Sequence, residues 1–262
     1  MPIHHDIGEF TVRIPDEFVF QSKKVEDFLN WCFPDLANNT EVGDKAILTP
    51  LNKDANDLNN IALKKMVGEV SVHKSVDTVH EDEAGEALNY PAEFLNSLSL
   101  PGMPEHKLEL KIGCSLLLIR NLNPTIGLCN GTRLKLESLP RILNCLVLNG
   151  SHKGEVAYIP RINLLNTEGK LPFQMSRRQF PVKLAFAMTI NKAQGQSLSQ
   201  VGVYLPNPVF SHGQLYVALS RSGSKLKTKI FVVDVEGIQG KIANKQGVYT
   251  SNVVYAEALS KF

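Results

Sequence analysis

Apolar positions along this chain fall into two textures. Before about residue 65 and again from Phe180 onward, continuous apolar runs alternate with stretches of helical spacing. Val25, Phe28, Leu29 and Cys32 follow the i, i+3, i+4, i+7 pattern of a helix buried on one face, and Pro34 ends it. Lys45 to Thr49 reads as a short buried strand. After Pro50 a helix carries Leu51, Ala55, Leu58 and Ala62 on one side. Residues 1 to about 20 read as extended, with alternation over Phe10–Ile14, and residues 68–92 as a charged surface strand and loop. Between Leu108 and Ile162 the texture changes to short alternating segments broken by Asn, Gly and Pro: Lys111–Arg120, Thr132–Glu137, Ile142–Leu148 and Glu155–Ile159. Asn149-Gly150 is a turn signal between two of them. The pattern predicts an α/β lobe interrupted by a small β-barrel. Glu168-Gly169-Lys170 marks the return, and strands resume at Leu184–Ile190, Val201–Leu205 and Lys229–Val235.

Two segments carry candidate chemistry. Leu184–Ile190 is nearly all apolar, as in a parallel strand covered on both faces. Asn191 then suits a helix N-cap, and Gln194 three residues on completes a capping-box pattern. A helix start after a central strand offers N–H groups to an anion, with Thr189, Asn191 and Lys192 as side-chain donors beside it. The anion would be a nucleic-acid phosphate or an ATP phosphate; a capped surface helix that touches nothing fits the same residues. Further on, Ser211 and Gln214 form a second capping pattern, and Leu215, Ala218 and Leu219 turn a helix inward. Arg221 falls about 120° around that helix from Leu215. It reads either as a favourable C-terminal charge or as an arginine finger aimed at a γ-phosphate.

Composition narrows the classes. The 262 residues allow one large or two modest domains, and 43% apolar with 21% charged residues is ordinary for a soluble globular chain. A net charge of +2 proves no nucleic-acid partner by itself, so that case rests on local groups such as Arg177 and Arg178. Cys32, Cys114, Cys129 and Cys145 form no C-x-x-C pair and read as reduced intracellular thiols. No apolar run reaches the ~18 residues of a membrane span, and no metal-ligand cluster is expected. Nor does the sequence contain a G-x-x-x-x-G-K-[ST] phosphate loop.

Several motifs together resemble a known family. Ala187 to Gln196 looks like helicase motif V, and Leu215-Tyr216-Val217-Ala218-Leu219-Ser220-Arg221 looks like motif VI. Ala46-Ile47-Leu48-Thr49-Pro50 with Asn59 resembles motif IV. Leu110 to Gly113, Arg120 to Pro124 and Gly127 to Arg133 resemble the accessory β-domain of petite-integration-frequency (Pif-type) 5′-to-3′ DNA helicases of superfamily 1, most closely in their Helitron-type form. Arg177 to Val182 and Asn252 to Tyr255 are similar to the same family. The resemblance implies a connector over 1–36. It implies a second RecA-like lobe over 37–92 and 170–262, and an inserted Src-homology-3-like β-barrel over 93–169. It implies ATP contacts at Gln194, Gly195 and Arg221, with Arg221 catalytic. DNA contacts would fall to Thr189, Asn191, Lys192, Arg177, Arg178, Arg120, Asn130, Gly131 and Arg133. Asn191 stands where many relatives carry His, which keeps a donor without a positive charge. ATP and Mg2+ are the family's cofactors; the phosphate loop and Asp-Glu magnesium site that hold them in relatives are not in this sequence. The expected partners are therefore single-stranded DNA and a first helicase lobe in cis or trans, with no ATPase activity from this polypeptide alone. The expected compartment is the nucleus, with the mitochondrion as alternative. Two other classes fit: a non-catalytic DNA-binding or lobe-docking module, and an inactive transposon-derived remnant.

Overall fold

The structure, a computed structural model, describes residues 11–38, 43–80, 90–139, 141–166, 171–242 and 245–254. In chain order the first elements are β1 (Thr11–Ile14), α1 (Val25–Cys32), β2 (Lys45–Thr49), α2 (Asn52–Lys65), β3 (Ser71–Lys74) and β4 (Val76–His80). Then come α3 (Ala92–Ser97), β5 (Lys107–Leu110), β6 (Ser115–Leu118), β7 (Arg133–Ser138), β8 (Leu143–Val147), β9 (Val156–Ile159), β10 (Ile162–Leu165), β11 (Gln174–Gln179) and β12 (Val182–Leu184). The last stretch holds β13 (Ala187–Thr189), β14 (Gln200–Leu205), α4 (Gln214–Leu219), β15 (Thr228–Val232), β16 (Gly240–Lys241) and β17 (Val248–Ser251). Two compact units result: Met1–Ala37 with Glu41–Lys65 and Phe186–Phe262, and Asn38–Thr40 with Met66–Ala185.

The first unit is α/β. Its four-stranded sheet has the order β13-β2-β14-β15 and is parallel throughout. Strands covered on both faces should be apolar without alternation, and Ala46, Ile47, Leu48, Val201, Val203 and Leu205 are all buried. Helix α1 lays Phe28, Leu29 and Cys32 against β2 and β14, while α2 buries Ala55, Leu58, Ala62 and Leu63. Asp54 in the first turn of α2 and Lys64 and Lys65 in its last complement the helix dipole. A three-stranded antiparallel sheet, β1-β17-β16, belongs to the same unit.

Gly202 in β14 is what lets α1 sit so close. A Cβ there would lie 2.8 Å from Phe28 Cζ and 3.3 Å from Ile47 Cγ1. Phe28 is itself enclosed by Phe20, Trp31, Tyr204 and Phe231, with ring centroids 5.0–6.5 Å away, so its ring has little room to yield. Gly202→Ala is expected to destabilise the unit by about 1–3 kcal/mol through overpacking. Urea denaturation checks this, and an unchanged midpoint would show that the α1 contact relaxes freely.

Asn59 of α2 does a different job. Its Nδ2 donates to the carbonyl of Ala187 at 2.9 Å, and its Oδ1 accepts from the Ala187 N–H at 2.8 Å. Strand β13 ends the sheet, so the buried side chain stands in for the backbone of a further strand. Asn59→Leu strands both backbone groups and should cost about 2 kcal/mol. A thermal melt that does not move would refute the clasp.

The second unit is mainly β. Its five-stranded sheet, β12-β6-β7-β8-β9, is antiparallel at every pair. Leu134 and Leu136, then Leu143, Cys145 and Val147, then Ala157 and Ile159 are buried at every second position, as one covered face requires. Burial pushes the thiols of Cys114 and Cys145 up to about 12, which keeps them protonated and unreactive at neutral pH. Strands β10-β11-β4 and β3-β5 form two smaller antiparallel sheets.

Two sequence expectations shift. The segment expected as an insert, 93–169, falls within a wider compact unit, Met66–Ala185, which also takes in β3 and β4 from the charged strand-and-loop segment, paired with β5 and β11. The apolar run Leu184–Ile190 is not one strand. Its first part ends β12 in the antiparallel unit and its last part forms β13 in the parallel one, so continuous hydrophobicity here marks a change of unit. The Asn149-Gly150 turn signal falls in the loop that joins β8 to β9, residues 148–155. Glu168-Gly169-Lys170 lies outside the described residues.

Candidate functional site

The chain leaves the end of β13 through a 3-10 turn, Ile190–Ala193. Thr189 holds the cap position, without a side-chain cap bond, and is buried. Asn191 is therefore inside the turn rather than its N-cap, and Gln194 closes it at the C-cap, donating its N–H to the Asn191 carbonyl at 3.3 Å. The capping box expected from the sequence is absent because the turn lasts only four residues, anchored by buried Ile190 and Ala193. So short a turn offers no helix-start anion site; its chemistry rests on side chains. Asn191, Lys192 and Gln194 are exposed. Desolvation holds the Lys192 ammonium below the ordinary lysine range, although the residue as a whole is accessible. Gly195 then reverses the chain at φ +73°, a left-handed conformation that favours glycine.

From there the connector travels the length of the sheet. Gln196 donates Nε2 to the Lys192 carbonyl at 3.2 Å, and Ser199 N–H bonds the carbonyl of Asp44, just before β2. Because β13, β2 and β14 are parallel, residues 190–199 run from the C-terminal end of the sheet to its N-terminal end. There Leu198 N–H meets the carbonyl of Arg221 at 2.9 Å.

Arg221 follows α4 directly. The start of α4 differs from expectation: Gly213, at φ +68°, takes the cap position, so Ser211 is displaced from it. Gln214 turns inward, its Oε1 accepting from Phe210 N–H at 3.1 Å. At the other end the Arg221 side chain is half-buried and folded over its own helix. Its Nε donates to the Val217 carbonyl at 2.9 Å, Nη1 to the Gln196 carbonyl at 3.3 Å, and Nη2 to Ser220 Oγ at 2.8 Å. The structure thus brings Gln196 and Arg221 together, with α4 packed on the 190–193 turn.

The remaining candidates lie in the other unit. Arg177 and Arg178 are not a basic pair: successive strand residues face opposite sides, and Arg177 is fully buried while Arg178 is exposed. Arg177 bonds Asp77 and three backbone carbonyls, so it is a structural residue and not an accessible phosphate contact. Arg133 is also fully buried in β7, with Nη2 3.4 Å from Ser115 Oγ, which corrects its assignment as a surface contact. Arg120 is half-buried and donates to the Ile119 carbonyl. Asn130 is exposed; its N–H bonds Asn121 Oδ1 at 2.7 Å, and Gly131 at φ +94° completes the turn. Ser220 and Gln196 escaped the site reading because their contributions are a helix-end hydroxyl and a main-chain carbonyl, neither marked by residue type.

Among the described residues no group of three or more His, Cys, Asp or Glu could hold a metal ion. No described helix is long and apolar enough to cross a membrane.

Comparison with known proteins follows the same outline. Residues 93–139 match the family described as DNA helicase Pif1, 2B domain. The chain is 35% identical over 147 residues to the ATP-dependent DNA helicase PIF1 of Homo sapiens, covering 53% of this chain and 21% of the human protein. It is 28% identical over 249 residues to the ATP-dependent DNA helicase PIF6 of Trypanosoma brucei brucei, covering 88% of this chain and 28% of that protein. The chain therefore spans only about a fifth to a quarter of these relatives. The fold resembles the crystal structure of Pif1 helicase from Candida albicans, with TM-score 0.54 and 23% identity, over 79% of this chain and 52% of that one. It also resembles the Pif1 helicase from Bacteroides in complex with ADP-AlF3 and ssDNA, with TM-score 0.57 and 17% identity, over 91% and 50% of the two chains.

Proposed function

The chain belongs to the Pif1-type DNA helicases, and from that premise we propose that it forms the second, RecA-like motor lobe and accessory β-domain of an ATP-dependent 5′-to-3′ DNA helicase. The observation that carries the reading is the junction of Gln196 with Arg221, which joins the motif V-like and motif VI-like segments in one unit. Arg221 is the arginine finger of this proposal, one wall of an ATP site with Gln194 and Gly195. Asn191 and Lys192, with Thr189 before them, meet the phosphates of single-stranded DNA, and Gln196 links this turn to Arg221 by bonding the Lys192 carbonyl with its side chain and Arg221 Nη1 with its own carbonyl. A connector that touches both ends of the sheet suits a lobe in which nucleotide state and DNA grip change together. When bound, Mg2+ and the phosphate cradle neutralise charge on the transferred phosphoryl group. They would come from a phosphate-loop lobe in cis or trans. The five-stranded antiparallel sheet, with the matched 93–139 segment, is the accessory domain. We read it as the Src-homology-3-like barrel, offering Arg178, Arg120, Asn130 and Gly131 to DNA. A nuclear or mitochondrial compartment accompanies this reading.

The test supplies a phosphate-loop lobe, fused ahead of the chain or added in trans, and measures ATP hydrolysis with and without single-stranded DNA. DNA-stimulated turnover that neither half shows alone is expected. Salt-dependent DNA binding without any turnover in the combined protein would sink the motor reading and favour a non-catalytic binding module.

A further inference from the structure

We infer that Ser220 is a positioning residue for Arg221, an inference that rests on the proposed role of Arg221 as the phosphate-facing arginine. It starts from the end of α4. Helix termini leave carbonyls without an intrahelical donor. Here the last turn tightens: Ser220 N–H goes to Tyr216 O at 2.9 Å and Arg221 N–H to Ala218 O at 3.5 Å, which passes over the carbonyl of Val217. Two side-chain donors take that carbonyl instead, Ser220 Oγ at 3.1 Å and Arg221 Nε at 2.9 Å.

A serine hydroxyl has a single proton to give. With that proton directed at Val217 O, the lone pairs of Ser220 Oγ are what Arg221 Nη2 meets at 2.8 Å. Ser220 is therefore an acceptor toward the arginine, and its orientation is fixed by its own donation. Val217 O and Ser220 Oγ, 3.1 Å apart, together receive Nε and Nη2, much as the two oxygens of a carboxylate receive one edge of a guanidinium. The pair carries no net charge, so it fixes the plane of the fork without neutralising it. Gln196 O takes one N–H of Nη1 at 3.3 Å. Of the five N–H donors of a guanidinium, three are thus engaged. One is left on each terminal nitrogen, its direction already set, for an anionic oxygen to meet. Holding a rotamer-rich side chain in advance lowers the entropic cost of meeting a phosphate.

The test uses the full chain labelled with 15N. The Arg221 Nε–Hε resonance is identified by its loss in Arg221→Lys, and its exchange with water is measured. Ser220→Ala should speed that exchange about fivefold to tenfold, and Ser220→Thr, which keeps the hydroxyl, should restore it to within about twofold. Thermal midpoints monitored alongside separate this from loss of fold. In the protein combined with a phosphate-loop lobe, Ser220→Ala should lower kcat about tenfold with little change in the KM for ATP. Exchange that is unchanged in Ser220→Ala, or as fast in Ser220→Thr as in Ser220→Ala, overturns the positioning role. Turnover that ignores Arg221→Ala while exchange responds as expected overturns instead the reading of Arg221 beneath it.

Discussion

Arg177→Met is expected to lower the stability of the β-rich unit by about 3–5 kcal/mol, a large fraction of the 5–15 kcal/mol of an ordinary domain. Nothing about the residue is exposed, and every donor is used. Nε and Nη2 bind the two carboxylate oxygens of Asp77 at 2.9 and 2.7 Å. Nη2 also reaches the carbonyl of Leu95, while Nη1 divides between the carbonyls of Leu98 and Pro104, each at 3.0 Å. One side chain thereby ties β11 to β4, to α3 and to the segment that follows it. Removing it leaves the Asp77 carboxylate buried, supported by Ser75 Oγ at 2.6 Å but without its cation, and three carbonyls with a donor withdrawn. Arg178→Met, one residue along and exposed, should stay within about 0.5 kcal/mol. Equal effects of the two substitutions in chemical denaturation would refute the account. The double variant Arg177→Met with Asp77→Leu should recover part of the loss, because the unpaired charge goes with its partner.

The same residue shows where the sequence stops being readable. Arg177-Arg178 looks like a basic patch when read as neighbours, and a strand turns such neighbours to opposite faces. The partner that buries Arg177 stands 100 positions away, in a segment whose charges and irregular spacing read as a strand and loop on the surface. A strand was expected there, but no local pattern announces its pairing with β11. By contrast β2, β14 and β15 were legible, since a strand inside a parallel sheet must be apolar on both faces. The motifs at 187–196 and 215–221 were also legible, as were the helix periodicities of α1 and α2. The capping patterns misled for a local reason. A candidate Ser or Asn caps a helix only if the backbone enters at that residue, and here Gly213 and Thr189 set the entry points instead. Arg133 illustrates a further limit: alternation places it on the face opposite Leu134 and Leu136, which reads as surface, yet the residue is fully buried.

Arg221→Ala should be the most damaging single change to turnover. Once the chain is joined to a phosphate-loop lobe, DNA-stimulated ATP hydrolysis is expected to fall at least about a thousandfold, the scale on which an arginine finger acts. The loss should appear in kcat, with the KM for ATP changed little, because an arginine finger acts on charge redistributed in the transition state rather than on bound ATP. DNA binding should survive. The substitution removes none of the candidate DNA side chains Thr189, Asn191 and Lys192, and α4 keeps its apolar contacts through Leu215 and Ala218. Arg221→Lys should recover little. A lysine keeps the charge but cannot bond Val217 O, Gln196 O and Ser220 Oγ at once while still presenting donors to a phosphate. Steady-state hydrolysis with saturating single-stranded DNA decides the matter. A turnover number within a few-fold of wild type in Arg221→Ala would remove Arg221 from the chemistry and leave its hydrogen bonds as a helix cap and nothing more.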